Sequence, residues 1–103
     1  MSSGKTARQL LQRLRERRAE ILQLCARYGA SDVRVFGSVA RGEADVASDV
    51  DLIVRFEPGR SLLDHAALWL ELEALLGCRV DVLSESGLKP RIREKVLKEA
   101  IPL

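Results

Sequence analysis

Residues 33–56 read VRVFGSVARGEADVASDVDLIVRF, and the order of signals in this stretch decides the fold. Val33 and Val35 begin an alternating apolar run, the pattern of a short strand. Gly37-Ser38 breaks the strand, a short turn or helix follows at Val39-Ala40-Arg41, and Gly42 stops it. A polar loop over residues 43–48 leads into a second strand, residues 49–56. On that strand Val50, Leu52 and Val54 share one face, while Asp49 and Asp51 share the other. Two carboxylates on one face of a buried-looking strand are costly unless something positive sits between them. A divalent cation is the usual solution.

Residues two apart on a strand are separated by ~7 Å at ~3.3 Å rise per residue, so the two carboxylates can converge on one ion or an ion pair. Paired ions about 3.5–4 Å apart clamp both ends of an in-line phosphoryl displacement. Just upstream, Gly37-Ser38 lies at a strand-to-helix turn. Exposed N–H groups at such a turn favour phosphate oxygens, and glycine lets backbone approach closely. Each half alone is a weak signal, since Gly-Ser is commonly just a turn and Asp-x-Asp is common in loops. In this order on this scaffold they point to nucleotide chemistry.

Gly37-Ser38, ten intervening residues and Asp49-Val50-Asp51 together resemble the signature of the nucleotidyltransferases related to DNA polymerase β. The longer strings, Phe36-Gly37-Ser38-Val39-Ala40-Arg41-Gly42 and Ser48-Asp49-Val50-Asp51-Leu52, are similar to the minimal nucleotidyltransferase domain. The resemblance implies an α/β fold, a small mixed sheet with helices packed on it. It also implies transfer of a nucleoside monophosphate from a nucleoside triphosphate with Mg²⁺. Members of this kind are often encoded beside a HEPN-domain protein, and some act as antitoxins that attach AMP to a tyrosine of that partner. Family members often carry a basic or bulky residue after the Gly-Ser; Val39 stands there in this chain, which removes one phosphate contact and leaves the core motif intact.

Outward from the motif, Leu10, Leu11, Leu14, Ile21, Cys25 and Tyr28 recur at helical spacing and predict one helix over residues 6–28, ended by Gly29. Its outer face is rich in arginine and needs only solvent. After the turn Glu57-Pro58-Gly59-Arg60-Ser61, Ser61 is a candidate N-cap, with Asp64 three residues on. The helix predicted over residues 62–76 would turn Leu63, Ala66, Ala67, Leu70 and Ala74 inward and close at Gly77. The lone histidine, His65, lies near its start and reads as structural rather than catalytic. Trp69 lies off that stripe, where partner contact and ordinary burial are both open. Residues 78–83 predict a third strand, with Val80 and Val82 alternating with Asp81. The family carries a third carboxylate on such a strand, and the resemblance extends that role to Asp81. After a loop over residues 84–88, Pro90 fits the first turn of a last helix reaching about Ala100. Leu88, Ile92, Val96 and Leu97 would face inward there.

The chain has 103 residues with 47% hydrophobic and 31% charged, which predicts one soluble domain over residues 1–103. That length leaves no second domain to hold an acceptor, so the acceptor is small or brings its own surface, which favours a protein. A net charge of +2 and the short chain disfavour nucleic acid as acceptor. Cys25 and Cys78 are far apart and only one histidine is present, so zinc is disfavoured. Both cysteines read as reduced core residues. No run is long enough to span a bilayer, and no signal peptide follows Met1, so a cytoplasmic protein is expected.

The mechanism expected from these residues starts from charge. Asp49 and Asp51 would hold one Mg²⁺ on the triphosphate of ATP and share a second ion with Asp81, which is also the candidate general base. Gly37 and Ser38 would bind the β- and γ-phosphates. Arg41 is a candidate phosphate clamp whose alternative is an ion pair with a nearby acid, and Ser48 could orient Asp49. The rival reading is a non-catalytic module that neutralises its partner by capping it.

Overall fold

The computed structural model describes residues 7–42 and 50–103. The helix predicted over residues 6–28 is two helices, α1 (Ala7–Glu16) and α2 (Arg18–Arg27). They meet at Arg17, whose N–H lies 3.2 Å from Arg13 O and 3.1 Å from Leu14 O. The ladder resumes with Ile21 N–H on Arg17 O at 2.9 Å, so Arg17 closes the first helix and caps the second. Then come β1 (Ala30–Phe36), α3 (Gly37–Arg41), β2 (Val50–Phe56), α4 (Leu62–Leu76) and β3 (Val80–Ser84). A 3₁₀ turn (Glu85–Gly87), α5 (Pro90–Glu99) and a two-residue β4 (Ile101–Pro102) complete the order. The break at Arg17 lets α1 pack on α3 while α2 packs on β1 and α4.

The sheet is mixed, in the order β3-β2-β1-β4. β1 runs antiparallel to β2 and β4, and β2 runs parallel to β3, with α4 as the crossover that a parallel pair requires. Val33 and Val35, Val50, Leu52 and Val54, and Val80 and Val82 belong to one buried cluster with Leu10, Leu14, Ile21, Cys25, Leu68, Leu72 and Leu76. Cys25 and Cys78 are both free thiols, and burial pushes the Cys25 thiol up to about 11. Early in β1 the pairing register shifts between Ser31 and Arg34, and Asp32 takes φ 51°. Aspartate tolerates that left-handed conformation better than most residues, and such a bulge bends the strand. No described helix is long and apolar enough to cross a membrane.

Two predicted faces are corrected. α4 begins and ends where its caps say. Ser61 accepts from Leu63 N–H, Asp64 closes the capping box, and Gly77 caps in the left-handed region. Its buried side chains, however, are Leu68, Leu72 and Leu76. Leu63 and Leu70 of the predicted inward stripe are 80% and 68% exposed, and Leu62 is 84% exposed. The helix is apolar nearly all round, so two stripes compete in the sequence and tertiary packing selects one. Trp69 is partly buried against the core and stacks on His65, with centroids 5.8 Å apart. In α5, Ile92 is 51% exposed and no residue is fully buried.

On the sheet face away from this cluster, Ile53 is fully buried. The predicted loop over residues 84–88 holds Glu85, only 4% exposed. Its carboxylate accepts from Arg93 at 2.8 Å and Arg34 at 3.2 Å, with Arg55 Nε 3.7 Å away. These guanidiniums, Arg93 foremost, hold the Glu85 carboxyl below its usual range against the opposing effect of burial. A depressed folded value adds stability above the unfolded value, and that stability disappears as pH falls through the folded value. Glu85→Gln is therefore expected to lower unfolding free energy by about 1–3 kcal/mol at neutral pH. The gap to the unmutated chain should close as pH drops below the ordinary value of 4.5. Urea unfolding at pH 7 and pH 3 measures both, and an equal gap at the two values would rule out the charge as its source.

Candidate active site

The face opposite the core is set by alternation along β2, which buries Val50 and Leu52 and turns Asp51 the other way. Parallel pairing then places Asp51 and Asp81 as direct Cα partners, with Leu52 opposite Val82. Both aspartates are half-buried. Two carboxylates side by side at one ladder position repel unless a cation lies between them. They offer hard oxygen donors of the kind Mg²⁺ and Mn²⁺ take, so the described part of the site fits a divalent ion. Asp49 and Ser48 lie outside the described residues. Among the described residues no group of three metal-ligating side chains forms, and Asp51 and Asp81 are two of the expected three.

The end of β1 reaches the same place. Phe36 is the Cα partner of Asp51 on the antiparallel side, so the chain turns into α3 directly beside that carboxylate. Gly37 has φ 75°, a conformation costly to any residue with a Cβ. A Cβ built there would press into the Asp51 carboxylate, 3.1 Å from its Cγ. The missing side chain thus serves two needs: the turn, and room for Asp51. Ser38 is half-buried in the first turn of α3, and Val39 behind it anchors that turn in the core.

Arg41 ends α3 and lies 3.6 Å from Glu99 of α5, with its side chain 43% exposed. The ion-pair alternative is therefore present, and it ties α3 to α5. Arg93 ties the same helix to Glu85 at the other end of the sheet face. Sequence reasoning missed Glu85 and its arginines. Arg34, Arg55 and Arg93 come from three separate elements, so no local pattern announces them. His65 faces the backbone of β3, with Nε2 2.6 Å from Val82 O and Phe56 5.1 Å from its ring.

The arrangement is a strand–glycine–helix turn abutting two registered carboxylates on the side not used by the core. Such an arrangement would suit a polyphosphate beside a divalent ion. The chain is similar to known nucleotidyltransferases. The family described as nucleotidyltransferase domain matches residues 9–103. The protein adenylyltransferase MntA of Thermococcus cleftensis is 48% identical over 79 residues, spanning 77% of this chain and 80% of that one. A solved structure described as a minimal nucleotidyltransferase is 68% identical, covers 90% of this chain and 95% of its own, and superposes with a TM-score of 0.83. At 19% identity, a crystal structure of the toxin-antitoxin with AMP-PNP shares the fold alone, with a TM-score of 0.70 over 82% of this chain and 69% of that one.

Proposed function

Because this chain belongs to the nucleotidyltransferase domain family, we propose that it moves AMP from ATP to a hydroxyl of a partner protein, in a metal-dependent reaction confined to one domain, residues 1–103. The observation that carries the reading is the registered pair Asp51 and Asp81 beside Gly37. The adenylyltransferase relative supports protein as the acceptor class. We take the partner to be a HEPN-type toxin, the acceptor to be one of its tyrosines, and the setting to be the cytoplasm, so that transfer makes the chain an antitoxin.

In this mechanism the turn at Gly37 and Ser38 receives the β- and γ-phosphates, since backbone N–H groups there meet anionic oxygens without side-chain obstruction. Asp49, Asp51 and Asp81 would hold two Mg²⁺, whose chemistry is to neutralise the triphosphate and lower the pKa of the acceptor hydroxyl. Asp81, on the edge strand, takes the proton from that hydroxyl as it attacks the α-phosphorus. The bond from the α-phosphorus to the bridging oxygen breaks, and pyrophosphate leaves. Arg41 would exchange Glu99 for phosphate oxygen when nucleotide binds, a bidentate match that a carboxylate partner already prepares. Ser48 orients Asp49 in this scheme.

Intact mass spectrometry decides the matter. Incubation with ATP, Mg²⁺ and the product of the adjacent gene should add ~329 Da to that partner, the mass of one AMP by its formula, and chelation should prevent it. A tight complex that neutralises the partner with no added mass would favour steric capping instead.

A further inference from the structure

Asp81 stands on β3, an edge of the sheet. Edge strands leave one row of backbone groups unpaired and are free to shift or accept another strand. Val50 N–H donates to Arg79 O at 3.0 Å. Residues 79, 81 and 83 therefore turn their backbone groups toward β2, and Val80 and Val82 turn theirs outward. One outward group on each side of Asp81 is taken by a side chain of α4. Val80 N–H donates to Glu73 Oε2 at 3.1 Å, and His65 Nε2 lies 2.6 Å from Val82 O. A carbonyl only accepts, so Nε2 of His65 carries the hydrogen. The ring has little freedom to leave, with Phe56 tilted against it at 5.1 Å and Trp69 stacked at 5.8 Å.

We propose that His65, with Glu73 as its counterpart, is a positioning residue for nucleotidyl transfer: the two α4 side chains clamp the backbone on both sides of Asp81 and fix that carboxylate against Asp51. The inference rests on the reading of Asp81 given above. Its physical basis is that the two bonds bracket the one β3 residue in register with Asp51. Without them the edge strand is held laterally from β2 alone, and small misplacements of a group acting on a nucleophile cost ~100-fold in rate. The donor works on backbone and touches neither nucleotide nor acceptor, so the effect falls on turnover and leaves nucleotide affinity alone.

The test compares His65→Phe, which keeps a ring between Phe56 and Trp69 but cannot donate, with His65→Gln, whose amide can donate from a similar place. His65→Phe should lower kcat for AMP transfer about 10- to 100-fold with KM for ATP unchanged, and His65→Gln should recover most of it. Amide hydrogen exchange at Asp81 and Leu83 should quicken in His65→Phe and return in His65→Gln. Glu73→Leu should repeat the loss and Glu73→Gln, which still accepts, should not. Wild-type turnover and protection in His65→Phe would overturn the proposal, as would equal losses in the Phe and Gln variants. Should the unmutated chain transfer no nucleotide at all, the functional reading fails separately, and exchange at Asp81 alone decides whether the clamp exists.

Discussion

Asp51→Asn should leave the chain folded and reduce nucleotidyl transfer by at least ~1,000-fold, about 4 kcal/mol of barrier. The substitution removes a charge at nearly constant size, so the space that Gly37 leaves for the side chain stays filled. What disappears is one of two anionic groups at a single ladder position, and with it the hold on a divalent ion. The same pairing predicts the sign of the stability change. Asp51 and Asp81 repel when no cation is present, so the thermal midpoint without Mg²⁺ should hold or rise. Added Mg²⁺ should raise the midpoint of the unmutated chain and leave that of Asp51→Asn nearly fixed. Thermal melts with and without the ion, beside intact-mass transfer assays, test both parts. Full transfer by Asp51→Asn would end the metal reading.

Gly37→Ala should damage stability and activity together. At φ 75° an alanine costs about 1–2 kcal/mol from backbone alone. The new methyl also meets the Asp51 carboxylate, and overpacking of this kind adds about 1–3 kcal/mol. Either α3 or Asp51 must move, and both belong to the proposed site. Gly59 supplies the control. It has φ 92°, with nothing among the described residues within 4 Å of a built Cβ. Gly59→Ala should therefore show the backbone cost only, without loss of transfer. Urea midpoints separate the two variants. Equal midpoints would mean that the space beside Asp51 is not tight.

How much of this was legible depends on how local each signal is. α4 was read to its ends because Ser61, Asp64 and Gly77 act within one turn of each terminus. The strand–glycine–helix turn and the alternation of Asp51 with Leu52 are equally local, and they turned Asp51 away from the core. The pairing of β3 with β2 followed from Asp81 only through the resemblance, because strand order is not written in any window. The inward side of α4 was read wrongly since Leu63 and Leu70 compete with Leu68 and Leu72, and contacts with α2 and β3 decide between them. The break at Arg17 involves no proline or glycine that could mark it. Glu85 looked like a loop residue because the arginines that bury it lie on β1, β2 and α5. Two residues of β4 are too few to carry a period.

The parallel pairing of β2 with β3 also bears on how the chain is made. Asp51 and Asp81 touch in the sheet, yet the whole crossover helix separates them along the chain. A ribosome will have synthesised the glycine turn and all of β2 before it reaches the third carboxylate. At ~5–20 residues per second, the growing chain spends seconds with one wall of the site and not the other. Closing that long excursion costs entropy that only the finished packing of α4 repays. Nucleotide and ion therefore cannot template the early chain, and catalytic competence should arrive in one step, late in synthesis, when the edge strand docks.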